Sequence, residues 1–126
     1  MYYSKEDFLK WKDYIDFKIK YKKVSLPKEL EDFLLNLSVI YLDYKDFMTE
    51  EKGIFYTYYM DVEYKEEKIH IRRTESEEYC MDNWGLLNQE PEECFDTYLR
   101  NKYDLDLKQE MWVLDVIRDF FNIIQT

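Results

Sequence analysis

Glycine is almost missing from this chain: among 126 residues it occurs only at Gly53 and Gly85. Phosphate-cradling loops and dinucleotide fingerprints both need several closely spaced glycines, so neither can be built here. Histidine occurs once, at His70, and cysteine twice, at Cys80 and Cys94, with no C-x-x-C and no H-E-x-x-H. That excludes the usual zinc arrangements. Two cysteines are too few for a disulfide scaffold, and the expectation is a pair of buried free thiols in a reducing compartment. Glu75, Glu77, Glu78 and Asp82 do not follow the alternating acidic pattern that wraps calcium. No metal and no cofactor are therefore expected. No apolar run approaches the roughly 18 residues of a membrane span, and the opening MYYSKEDF carries no signal-peptide core. A soluble, cytoplasmic protein without a membrane partner is expected.

What is present is a chain built for a core. Hydrophobic residues make up 46% and aromatic residues 19%, which excludes a disordered chain even with 37% charged residues. The length fits one domain that buries roughly 65–70% of its unfolded surface.

The period of two is clearest over residues 54–74. Ile54, Tyr56, Tyr58, Met60, Val62 and Tyr64 alternate with Phe55, Thr57, Tyr59, Asp61 and Glu63, and Ile69 and Ile71 alternate with His70 and Arg72. A turn centred on Glu66-Glu67 would set Tyr64 opposite Ile69 and Val62 opposite Ile71. Glu63 would then face His70, and Asp61 would face Arg72. Before this hairpin, Phe8, Trp11, Ile15 and Ile19 predict a helix over about 4–21, opened by Ser4-Lys5-Glu6-Asp7. Pro27 opens a second helix. Leu30, Phe33, Leu34, Leu37, Tyr41, Tyr44, Phe47 and Met48 hold the helical period, so one continuous helix up to a cap at Gly53 is expected, against a break near Ser38 with a strand at 39–42.

After the hairpin, residues 77–84 predict a third strand and Gly85 the turn out. A short helix should begin at Pro91-Glu92-Glu93, with Cys94 or Phe95, Tyr98, Leu99 and Tyr103 inward. Asp106-Leu107-Lys108-Gln109 reads as a capping box. The last helix should bury Met111, Leu114, Ile117, Phe121 and Ile124, widened by Val113, Val116 and Phe120. The fold expected is α+β in one domain over residues 1–126: two helices, a small antiparallel sheet built on the 54–74 hairpin, and two helices.

Charge supplies the functional reading. The net charge is −10, distributed as +3 over residues 1–24, −4 over 25–74, −8 over 75–110 and −1 over the remainder. Such a field disfavours direct nucleic acid or anionic membrane partners and favours basic ones. The expected contact surface gathers Glu75, Glu77, Glu78, Asp82, Glu90, Glu92, Glu93 and Asp96, extended by Asp61, Glu63, Glu66 and Glu67. Tyr79, Trp84, Phe95 and Tyr98 are the expected aromatic anchors. A Cys–His pair from Cys80 or Cys94 with His70 conflicts with the acidic setting, which raises rather than lowers a thiol pKa. His70 reads as a surface cross-strand partner.

In general character the chain is similar to phage-encoded anti-defence proteins, anti-CRISPRs among them, and to toxin-immunity proteins. That resemblance implies a non-enzymatic inhibitor whose partner is a basic nuclease, CRISPR effector or toxin, bound by nucleic-acid mimicry. Two other classes are carried beside it: a helical interaction or assembly module using residues 4–48, and a small carboxylate-dependent enzyme. Oligomeric state is open.

Overall fold

The computed structural model describes residues 5–49, 53–76 and 80–125. The elements are α1 (Lys5–Lys20), α2 (Lys28–Asn36), β1 (Ser38–Thr49), β2 (Gly53–Tyr64), β3 (Glu67–Glu75), β4 (Cys80–Leu86), β5 (Glu93–Cys94), α3 (Phe95–Tyr103) and α4 (Leu107–Gln125). The strands form one antiparallel sheet in the order β1-β2-β3-β4-β5, so each strand pairs with its neighbours in sequence. This is the expected α+β arrangement of two helices, sheet and two helices.

Parity decides which sheet face is covered. Met60 and Val62 of β2 pair with Ile71 and Ile69 of β3. All four are buried with Trp11, Ile15, Leu30, Phe33, Leu34, Leu99 and the apolar stripe of α4, in one cluster that draws on every helix. Ring contacts mark the same face: Tyr58 lies 5.2 Å from Phe121, Tyr64 5.2 Å from Phe33, and Trp84 3.9 Å from Tyr98.

The second helix is shorter than the periodicity implies. It stops at Asn36, whose Nδ2 donates to the Asp32 carbonyl and carboxylate at 3.0 and 2.9 Å. Leu37 is already extended (φ −66°, ψ 149°), and residues 38–49 form β1. A β-bulge between Val39 and Tyr41 is the physical reason. One extra residue at Ile40 shifts the inward positions from Val39 to Leu42, so a strand acquires a spacing of three that imitates a helix. Gly53, expected to cap a helix, starts β2 at φ 80°, where a side chain would be strained.

The hairpin register differs from the expected one by two residues. Tyr64 pairs with Glu67, Val62 with Ile69, and Asp61 with His70, while Glu63 faces Lys68 and Arg72 faces Tyr59. The turn is Lys65-Glu66, both at positive φ (48° and 68°), the tight two-residue form that suits the twist of antiparallel strands. A slip of two leaves every side chain on its face, so the inner set stands and only the cross-strand partners change.

β4 runs to Leu86, past the expected end, and Gly85 lies within it instead of marking the turn. The segment leaving the sheet crosses over this glycine: a Cβ there would sit 3.1 Å from the Glu90 carbonyl oxygen and 3.2 Å from Pro91 Cα. Glu93 and Cys94 pair with Trp84 and Asn83 as β5, which delays α3 to Phe95. Cys94 is thereby at the helix cap and exposed, as is Cys80, so the two expected buried thiols are both on the surface.

In α4 the buried stripe is Val113, Val116, Ile117, Phe120 and Phe121; Met111 is 51% exposed and Leu114 half-buried, and the Ile124 side chain lies outside the described residues. All five buried residues belong to the expected set; Glu110 also turns inward, accepting from Arg100 Nε at 2.6 Å. The capping box forms as expected: the Gln109 amide donates to Asp106 Oδ1 at 2.9 Å, and the Asp106 amide donates to Gln109 Oε1 at 2.8 Å. Gln109 Nε2 also donates to the Ser25 carbonyl at 2.6 Å, tying α4 to the α1–α2 connection. Asp106→Ala should cost about 1 kcal/mol in urea unfolding, with the denaturant slope unchanged.

Candidate interaction surface

The acids of residues 61–96 divide among four places. The first is inside the fold. Continuing the parity of Ile69 and Ile71 along β3 brings Arg73 and Glu75 onto the helix-covered face, opposite Asp82 and Cys80 of β4. Arg73 is 5% exposed. Its Nε donates to Glu75 Oε1 at 2.8 Å, and its Nη1 donates to Asp82 Oδ1 at 3.0 Å and to the Leu114 carbonyl at 3.4 Å. Arg118 Nε lies 3.6 Å from the same Glu75 oxygen. Burial pushes the Asp82 carboxyl up to about 6, against the opposing pull of Arg73. Glu75 and Asp82 are therefore internally paired groups.

The second place is the sheet face opposite the helices, where Asp61 accepts a hydrogen bond from His70 Nδ1 and the imidazole stacks on Tyr59 at 5.6 Å. Glu63 faces Lys68 there. The third is the β2–β3 turn, with Glu66 exposed and Glu67 3.7 Å from Lys102 Nζ. The fourth is the edge where β4 turns into β5. Glu90 is 81% exposed and 3.8 Å from Arg72 Nη1. Glu92 and Glu93 are exposed, with no ion-pair partner among the described residues. Asp96, half-buried, accepts from the Thr97 amide at 2.7 Å. Glu77, Glu78 and Tyr79 lie outside the described residues.

Among the described residues, it is the fourth place that presents unpaired carboxylates outward beside an aromatic ring. Glu90, Glu92 and Glu93 rim a shallow groove of about 280 Å³, with Trp84, Gly85 and Gln89 along it. Trp84 is fixed by packing against the half-buried Tyr98, which in turn stacks on Phe95 at 5.8 Å; Phe95, expected as an anchor, is buried because it belongs to the core. The indole Nε1 is buried without a hydrogen-bond partner among the described residues. Asn83 anchors the rim from below, its Nδ2 donating to the Glu92 and Glu93 carbonyls at 3.5 and 3.4 Å. Gln89 and Gly85 were not among the expected site residues. Their signal is the single glycine of the 75–110 segment, which lets the 90–91 backbone cross the strand.

No family model matches the chain. Neither a curated protein nor a solved structure is similar to it.

The chemistry available at the edge is electrostatic. Cys80 falls on the face opposite His70, so these two cannot form a nucleophile–base pair. Although the residue is exposed, partial desolvation of the thiol among its neighbours raises its pKa, with Arg73 pulling the other way. Among the described residues no group of three or more His, Cys, Asp or Glu side chains is placed to hold a metal ion. No described helix is long and apolar enough to cross a membrane.

Proposed function

We propose that this protein is a non-enzymatic inhibitor that binds the basic, nucleic-acid-handling groove of another protein through the β4–β5 edge. The observation that carries this reading is the exposure of Glu92 and Glu93, neither of them in an ion pair among the described residues, beside Glu90 and next to a rigid Trp84. Adjacent carboxylates offer a lysine- or arginine-lined groove the charge pattern of successive phosphates, and the −8 segment around them steers such a partner in. Glu75 and Asp82 support the edge from within the fold rather than by contact.

The test is capture from host lysate by the wild-type protein and by a Glu90→Lys/Glu92→Lys/Glu93→Lys variant. The wild type should capture a basic protein at low salt, release it steeply as salt rises, and release it to added double-stranded DNA. The variant should lose it at least tenfold. Equal capture of that protein by both forms would overturn the reading. Retention by the charge-reversed form with loss from a Phe17→Glu variant would move the contact to α1. There Phe17 and Tyr21, 59% and 62% exposed, lie with tilted rings 4.8 Å apart and favour the helical interaction module.

A further inference from the structure

A groove of about 650 Å³ opens well away from the acidic edge, where the first turns of α2, the β2–β3 turn and the end of α3 meet. Its composition runs against the rest of the molecule. In a chain of net charge −10, three lysines from three separate elements converge here: Lys28, Lys65 and Lys102. Between them stand two tyrosines, Tyr64 and Tyr103, braced from inside by Phe33 at 5.2 and 6.5 Å. The carboxylates in the groove are partly committed. Asp32 accepts from the Tyr64 hydroxyl and from Asn36 Nδ2; Glu67, outside the lining, sits 3.7 Å from Lys102. Lys28 has no ion-pair partner among the described residues, and Lys65 Nζ lies 5.2 Å above the Tyr64 ring. Lys102 Nζ lies 5.3 and 5.7 Å from the Tyr98 and Tyr103 rings and donates to the Tyr98 hydroxyl at 3.0 Å.

We propose that this groove binds a ribonucleoside monophosphate. Each part of such a ligand has a counterpart. Lysine ammoniums are point-charge partners for a phosphate and need no rigid fork geometry. A planar base finds the half-buried Tyr64 ring already held in place against Phe33, with the buried Tyr103 behind it, and stacking on such a ring tolerates any base. Ribose hydroxyls are donors, and Glu29 and Asp32 supply carboxylate acceptors on the same wall. The volume lies within the 300–1,000 Å³ or so of small-ligand sites. A bare anion would use the lysines and leave the aromatic wall and the carboxylates idle.

Calorimetric titration of the full chain with the four ribonucleoside 5′-monophosphates, adenosine and inorganic phosphate tests this. At least one monophosphate should bind with a Kd of about 10–500 μM, at least tenfold tighter than adenosine or phosphate. Amide NMR shifts should gather at residues 28–32, 64–65 and 102–103. Lys65→Glu, on an exposed turn position, should weaken binding about tenfold with the thermal midpoint unchanged. Absence of binding up to about 5 mM nucleotide, or phosphate binding as tightly as the nucleotide, overturns the proposal. The Glu90, Glu92 and Glu93 variant should bind nucleotide as the wild type does, so this result and the capture experiment succeed or fail separately.

Discussion

Replacing Arg73 with alanine should destabilise the protein by about 3–5 kcal/mol at about pH 8, enough to threaten folding of a domain whose total is of order 5–15 kcal/mol. The side chain is one of few charged groups inside this fold, and it is the common partner of Glu75 and Asp82. Removing it leaves two carboxylates in the interior, one of them on a side chain only 11% exposed, with the 52%-exposed Arg118 the nearest remaining cation. The cost of an unpaired buried charge exceeds the net value of the pair, so Arg73→Ala/Asp82→Asn should recover part of the loss. Chemical unfolding measured for the three variants decides it; a loss below about 1 kcal/mol for Arg73→Ala would mean that solvent reaches the cluster.

The same cluster gives the pH dependence a sign. Asp82 is raised from 3.8 to about 6, so the folded state holds this proton more tightly than the unfolded chain. Its contribution to stability is complete below the unfolded value and is lost as pH rises through about 6. The wild type minus Asp82→Asn difference in unfolding free energy should therefore shift in favour of the wild type between about pH 8 and pH 5. In the Arg73→Ala background the pull opposing protonation is gone, and the acid-side gain should be larger.

The position of Arg73 was legible and the alternation carries it. The parity that buries Ile69 and Ile71 in β3 also turns residues 73 and 75 toward the helices, burying Arg73 and half-burying Glu75, so half of the internal ion cluster is written in one strand. The other half is not, because Asp82 reaches Arg73 only through the pairing of β3 with β4. This is why an acid-rich segment reads as a single negative face while the fold distributes its members between interior, open sheet face, turn and edge. Residues 106–109 were readable to the hydrogen bond because a capping box is a local device. The β1 strand was foreseen only as the lesser alternative, a break near Ser38 with a strand at 39–42, because the bulge at Ile40 replaces the period of two with a step of three. The hairpin partners were misread for a different reason. Without Asn-Gly or another turn signature, Lys65-Glu66 and Glu66-Glu67 are equivalent centres to the eye, and a slip of two costs no burial. The Lys28, Lys65 and Lys102 groove assembles residues up to 74 positions apart, and no local pattern announces it.

Trp11→Ala should be the most damaging single truncation in the core, at about 3–5 kcal/mol. Trp11 is 1% exposed and joins three helices. From α1 its indole N–H donates to the Leu34 carbonyl of α2 at 3.0 Å, and its ring meets Phe120 of α4 edge-on at 4.9 Å. The neighbouring Tyr14 completes the attachment, its hydroxyl donating to the Val116 carbonyl at 2.6 Å. Alanine would lose the apolar contact, leave a cavity the size of an indole, and orphan a buried carbonyl. Trp11→Phe separates these effects: most of the ring contact survives and the carbonyl alone loses its donor, for an expected loss of about 1–2 kcal/mol. If the two variants were equally destabilised, the hydrogen bond rather than the packing would be what fastens α1. If neither lost more than about 1 kcal/mol, α1 would be a dispensable layer over a core formed by α2, α4 and the sheet. Hydrogen exchange in Trp11→Phe distinguishes these cases residue by residue, since loosening confined to α1 should leave the amides of β2 and β3 as protected as in the wild type.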